Sequence, residues 1–132
     1  MKAVIDTNVF VSGVFWKGPP FKVLEAWKNK KFTLVLSAEI FEEYRRILDE
    51  LALKYPSIEI PKLLETVSFH AEFVISSPFP KPICSDADDD KFLSVAMAAK
   101  AHSIATGDKA LLSLNGFSGI NIVKPAEFLK LL

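Results

Sequence analysis

Asp6, Glu43, Asp89 and Asp108 are spread along the chain, yet each falls in a segment where a strand ends or a helix begins. Carboxylates brought together repel one another and raise one another's pKa unless a cation neutralises them, and hard divalent ions take oxygen ligands. Four such acids converging on one sheet edge would make a carboxylate-lined metal site. Each also has a plainer reading. Asp6 or its neighbours Thr7 and Asn8, and likewise Asp108, suit the cap of a following helix. Asp89 can share a capping exchange with Asp86, and Glu43 can pair with Arg45 or Arg46 on the rim of its own helix. It is the coincidence of four that favours chemistry.

The elements that must position these acids alternate in type. Residues 1–5 are an apolar, β-branched run that reads as a buried strand ending at Asp6. Helix-like stretches follow over 9–15 and 21–30, interrupted by Gly18-Pro19-Pro20. A second strand is expected over 32–36, then a long helix opened by Ser37 and running to about 55, and another from Pro61 with Leu63, Leu64, Val67 and Phe69 as its apolar positions. Residues 72–75 suit a short edge strand. The prolines of 77–82 force an extended loop, and a helix runs from Asp86 to about 101. A strand over 103–106, a short helix over 108–114, a last strand over 120–123 and a terminal helix from Pro125 complete the chain. Alternation of this kind implies a parallel sheet, and in such sheets the ligand crevice lies beyond the carboxyl ends of the strands.

Helical periodicity separates the acids from their neighbours. Ile40, Tyr44, Ile47, Leu48 and Leu51 form one stripe, with Glu42 directed away, Glu39 well off it and Glu43 on its border, so Glu43 is the glutamate expected to look inward. Phe92, Leu93, Val95, Ala96 and Ala99 mark the buried side of the later helix, which places Asp89 on that side and Asp90 opposite. Asp86 suits the N-cap there, and Asp88 gains from the helix dipole. An ionised acid aimed into an apolar layer is costly without a cationic partner.

Composition sets the outer bounds. At 132 residues, half of them hydrophobic, the chain is expected to be one domain, 1–132, with a sizeable core. Sixteen basic residues balance sixteen acidic ones, which argues against bulk electrostatic binding of nucleic acid while leaving room for a local basic patch. A single cysteine, Cys84, excludes an internal disulfide and thiolate zinc, and reads as a small buried hydrophobe. The first apolar stretch is broken by Asp6 and Lys17, a poor secretory signal, and a cytoplasmic location is expected.

Taken together the motifs resemble those of the PIN domains, metal-dependent ribonucleases that include the toxins of many prokaryotic toxin–antitoxin pairs. Val4-Ile5-Asp6-Thr7-Asn8 looks like the opening strand and acid of that family, and Leu36-Ser37 through Glu43-Tyr44 like its second acidic motif. Asp86-Ala87-Asp88-Asp89 through Phe92-Leu93 resembles the third, and Thr106-Gly107-Asp108-Lys109 through Leu111-Leu112 the fourth. Ala87 stands where close relatives often carry proline, a change that the first helical turn tolerates. The resemblance implies a three-layer α/β/α sandwich around a parallel sheet of four or five strands, with the strand of Asp6 central and that of Asp108 beside it. It carries over Asp6, Glu43, Asp89 and Asp108 as the acidic quartet that binds one or two Mg²⁺ or Mn²⁺ ions, with Asn8 and Thr106 orienting the carboxylates. Asp6 ranks first as a direct ligand, Asp89 and Asp108 next, and Glu43 is assigned either to the metal or to the attacking water. RNA is the implied substrate, an antitoxin protein and a second copy of the chain the implied partners.

Two other classes of function stand beside it. A phosphate-handling enzyme or receiver module would use Asp6, Thr106 and Lys109 as acceptor, hydroxyl and phosphate-binding lysine, but lacks the second acid such sites need, having Asn8 two residues after Asp6. An inactive PIN-like module would bind RNA or protein only, against which stands the retention of all four acids. Lys17, Lys22, Arg45, Arg46 and Lys109 are more readily solvated charges than phosphate contacts, and His70 and His102 fall outside the motifs. Trp16 and Trp27 suit the core better than a base-stacking role, while Phe15, Trp16 and Phe21 beside Gly18-Pro19-Pro20 are the expected partner-binding surface.

Overall fold

Ala3, Val4 and Ile5 are fully buried because their strand is paired on both edges and covered on both faces, which is why it reads as a continuous apolar run rather than an alternating one. The computed structural model describes all residues, Met1–Leu132. Strands β1 (Lys2–Ile5), β2 (Thr33–Leu36), β3 (Glu72–Phe73), β4 (Ser103–Ala105) and β5 (Asn121–Val123) form one five-stranded sheet in the order β3-β2-β1-β4-β5. Every pairing is parallel, with Ala3 opposite Leu34 on one side and Ile5 opposite Ala105 on the other. The fold is therefore the expected α/β architecture with the strand of Asp6 central and that of Asp108 adjacent.

Strand order decides where a ligand can sit. From β1 the chain steps outward to β2 and β3, then crosses back to β4 and β5. Right-handed crossovers put the two sets of connecting helices on opposite faces, and the change of direction opens a crevice between the carboxyl ends of β1 and β4. Asp6 and Asp108 flank that crevice.

Seven helices build the outer layers: α1 (Thr7–Phe15), α2 (Pro19–Lys28), α3 (Ala38–Ala52), α4 (Ile60–His70), α5 (Asp90–Ala99), α6 (Lys109–Leu112) and α7 (Pro125–Leu129). Helix α5 packs over β1, β2 and β4, while α1 packs on α2 and α3, and α2 on α7. The Ser37 hydroxyl caps α3 at 3.2 Å from the Ile40 N–H, and Ile40, Tyr44 and Leu48 lie wholly in the core. Gly13 has a packing reason. A Cβ there would lie 2.6 Å from the Pro20 carbonyl oxygen and 2.8 Å from the Leu24 side chain, so glycine is what lets α1 and α2 approach.

Several local expectations change. Pro19 and Pro20 do not precede the second helix but form its first turn, where their missing N–H groups cost nothing, with Gly18 at φ 136° as the cap. The helix expected from Asp86 is a 3₁₀ turn over Ala87–Asp89 followed by α5, which Lys100 ends in a left-handed conformation. Phe69 is 76% exposed: it sits two residues, about 200° around the helix, from buried Val67, so it cannot share that face. Trp27 is buried, but Trp16 is 46% exposed and does not belong to the core.

Candidate active site

Asp6 ends β1 with its backbone fixed from two sides: its N–H donates to the Ala105 carbonyl at 3.0 Å, and its carbonyl accepts the Phe10 N–H of α1 at 3.0 Å. Its carboxylate is buried and held by two donors. Oδ1 accepts the Asn8 backbone N–H at 2.7 Å and Oδ2 the Thr106 hydroxyl at 2.5 Å. Burial pushes the pKa of Asp6 up, the bonds from Thr106 and Asn8 pull it down, and the nearby charge of Asp108 pushes it up again, for a net rise. The same Thr106 oxygen accepts the Asp108 backbone N–H at 3.0 Å, and Asp108 caps α6 through the Ala110 N–H at 2.9 Å. Thr106 thus ties the ends of β1 and β4 together. Asn8 contributes its main chain alone, since its side chain is exposed and makes no hydrogen bond to a carboxylate.

Asp89 lies at the junction of the 3₁₀ turn and α5 with 9% of its surface exposed. Burial and the adjoining Asp108, with lesser contributions from Asp86 and Asp6, raise its pKa to about 7. Asp108 moves the other way, held below the usual carboxylate range by its hydrogen bond with Asp89 and by the Ala110 N–H. The proximity of the two acids thus favours the protonated form of Asp89 and the ionised form of Asp108. The Oδ2 atom of Asp89 is buried without any hydrogen-bond partner, an unusual state for a polar atom.

Glu43 stands slightly apart. One carboxylate oxygen accepts the Thr7 hydroxyl, and the other lies 2.7 Å from the Lys91 ammonium, whose side chain is only 9% exposed. Lys91 also donates to the Asp88 carbonyl and carboxylate, each at 2.9 Å. Burial works against the ammonium form, but the bonds to Glu43 and Asp88 outweigh it and hold the lysine above its ordinary value. The arginines that sequence proximity suggests as partners of Glu43 are taken elsewhere: Arg45 bridges Glu42 and Asp49, and Arg46 bridges Glu50. Beneath the site, the buried Tyr44 hydroxyl donates to the Ile5 carbonyl while its ring stacks on Phe10 at 4.2 Å.

Asp90 faces away from this cluster and has another task. Its two oxygens accept the Ile83 and Cys84 N–H groups at 2.9 and 2.7 Å, anchoring the end of the proline-rich loop. Cys84 is buried with its thiol pushed up to about 12 by desolvation and the neighbouring Asp90, so it is chemically inert.

In front of Asp6 and Asp108 lies an open crevice of about 570 Å³, lined also by Asn8, Ser12, Gly107 and Lys124. The donor set here is entirely carboxylate oxygen, the kind that suits Mg²⁺ or Mn²⁺. As the side chains stand, no group of three or more acidic, histidine or cysteine residues could hold an ion. The chemistry nonetheless fits: a cation would favour the ionised form of Asp89 and could give its orphaned oxygen a partner. The fit lies in the donors rather than in a preformed cage. Thr7, Lys91 and Tyr44 were not legible as site residues. The i, i+3 spacing of Lys91 from Asp88 signals that pair, but nothing in the sequence couples Lys91 to Glu43 across 48 positions.

Comparison with known proteins bears on this arrangement. The sequence model of a family described as PIN domain matches residues 2–110. The chain is also 36% identical, over 141 aligned residues covering 98% of this chain and 90% of the relative, to an uncharacterized protein of Methanocaldococcus jannaschii.

Proposed function

This chain belongs to the PIN domain family, a nuclease-type fold, and from that premise we propose that it is a metal-dependent endoribonuclease that hydrolyses RNA phosphodiester bonds. The observation that carries the reading is the trio Asp6, Asp89 and Asp108 at the switch point of the sheet, with one buried oxygen of Asp89 left without a partner and its pKa raised by burial and the adjoining Asp108.

Asp6, Asp89 and Asp108 are the residues that would hold Mg²⁺ or Mn²⁺, as one ion or two. Such an ion, when bound, supplies a lowered pKa for water and neutralises charge on the phosphate. The remaining work falls to the protein. Thr106 and the Asn8 N–H hold the Asp6 carboxylate in place, and the raised pKa of Asp89 makes its readiness to act as a ligand depend on pH near neutrality. Glu43, held between Thr7 and Lys91, is placed to orient the attacking water. Lys124 on the crevice wall offers a charge to the RNA backbone.

The finer biology follows the family resemblance: the toxin of a toxin–antitoxin pair, acting in the cytoplasm as a homodimer and neutralised by an antitoxin protein. No helix of the chain is long and apolar enough to cross a membrane. The exposed Trp16, packed with Phe15 and Tyr55, supports a partner surface at the end of α1.

The test is incubation of the purified protein with a pool of structured RNAs in Mn²⁺ or Mg²⁺, then with chelator, beside a folded Asp6→Asn variant. Cleavage requiring both the ion and Asp6 is the expected result. Absence of cleavage by the folded wild type overturns the nuclease reading.

A further inference from the structure

We propose that Lys91 is a positioning residue, a cation supplied by the protein itself that fixes Glu43 and keeps it out of the divalent-ion ligand set, leaving Asp6, Asp89 and Asp108 to bind the metal. The metal assignment and the catalytic consequence rest on the nuclease reading above; the division of the acids can be measured without any cleavage.

Both groups of acids need positive charge, and the fold answers the need differently in each. Around Glu43 it is met. Thr7 donates to one oxygen and the Lys91 ammonium sits 2.7 Å from the other, so each oxygen has one donor, the charge is neutralised, and lone pairs remain to accept from a water. The ammonium is likewise complete, with the Glu43 carboxylate, the Asp88 carbonyl and the Asp88 carboxylate taking its three protons. With 9% of its side chain exposed, Lys91 is not placed to reach a substrate phosphate. It acts through Glu43 or not at all.

Among the three aspartates the need is unmet. They have no lysine or arginine partner, and Asp89 carries the buried oxygen without a donor. No hydrogen bond joins Glu43 to any of the three. A carboxylate already paired with an internal ammonium gains little from a divalent ion, whereas the aspartates gain both charge neutralisation and the missing contact. Lys91 also joins two elements. It reaches from the first turn of α5 to α3, so one side chain ties Glu43 to the turn that carries Asp89. A glutamate held in that way can keep a water in one orientation through a reaction.

Mn²⁺ affinity, measured by calorimetry on the whole chain with Lys91→Met, Glu43→Gln, the double variant and Asp89→Asn, tests the division directly. Lys91→Met alone leaves a part-buried carboxylate unpaired, so the double variant, which removes both charges, guards against simple misfolding. Expected is an affinity within about fivefold of wild type for Glu43→Gln and for the double variant, and a loss of about tenfold or more for Asp89→Asn. In RNA cleavage, Lys91→Met should lower kcat by about tenfold or more with KM little changed, and should add nothing in the Glu43→Gln background. Loss of Mn²⁺ affinity in Glu43→Gln as large as that in Asp89→Asn overturns the proposal, as does a Lys91→Met enzyme with wild-type kcat, or a wild type that binds no Mn²⁺. A wild type that binds Mn²⁺ through Asp89 and not Glu43 but cleaves no RNA removes the nuclease reading and leaves the division of the acids standing.

Discussion

The Thr106 hydroxyl donates to Oδ2 of Asp6 at 2.5 Å, joining residues one hundred positions apart in sequence. The same oxygen accepts the Asp108 N–H, so one buried hydroxyl fixes an acid at the end of β1 and the turn that presents another at the end of β4. Replacing Thr106 with valine keeps the shape and removes both bonds. Stability should fall by about 1–3 kcal/mol, because a buried carboxylate and a backbone N–H each lose a partner. Urea denaturation checks this, and Thr106→Ser, which restores the hydroxyl, should recover most of the loss.

The raised pKa of Asp89 should make the metal-free protein more stable in mild acid than at alkaline pH. Its folded pKa of about 7 lies above its unfolded value of 3.8, so between them the native state binds the extra proton and stability declines as pH rises through that window. Asp6, also raised, acts with the same sign. The depressed Asp108 contributes stability that is lost only as pH falls through its folded pKa, below the ordinary carboxylate range, outside the window in question. Urea midpoints in chelator should therefore be higher at pH 5.5 than at pH 8, and Mn²⁺ should raise the pH 8 value more.

Asp6→Asn separates catalysis from folding. Removing one charge from a cluster of carboxylates relieves repulsion, while the amide NH2 can no longer accept one of the two bonds from Asn8 and Thr106. The two effects oppose, so the thermal midpoint in chelator should shift by only a few degrees, while RNA cleavage falls by about a hundredfold or more. A calorimetric scan beside the cleavage assay distinguishes this from loss of fold.

Tyr44→Phe deletes the hydroxyl that holds the Ile5 carbonyl directly before Asp6, while leaving the ring stacked on Phe10. The expected cost is about 1–2 kcal/mol of stability, read from the urea midpoint, with a smaller loss in the cleavage rate as the end of β1 loosens.

Gly13→Ala tests the packing that shapes the far wall of the crevice. The added methyl would meet the Pro20 carbonyl oxygen at 2.6 Å, a backbone atom with little room to yield, and Pro19 and Pro20 line the crevice in front of Asp6. Destabilisation of about 1–3 kcal/mol is expected, measured by thermal unfolding.

The alternation of apolar runs with helical periodicity determined the parallel sheet and the motifs by which the family is identified, because these are local properties written in residue type and spacing, while the central place of the strand ending at Asp6 was implied by the family resemblance those motifs carry. Helical phase likewise separated Asp89 from Asp90 and Glu43 from Glu42. Phase says which way a side chain points, not what it meets. That Glu43 finds Lys91 rather than the arginines beside it, that Asp89 lies against Asp108 and has its pKa raised by it, and that Asn8 serves through its backbone while Thr106 serves through its hydroxyl all depend on how α3, α5 and the ends of β1 and β4 are brought together. Those pairings span tens of residues and are set by the close packing of helices on a sheet, where a shift of an ångström exchanges one partner for another. The tertiary structure alone decided them.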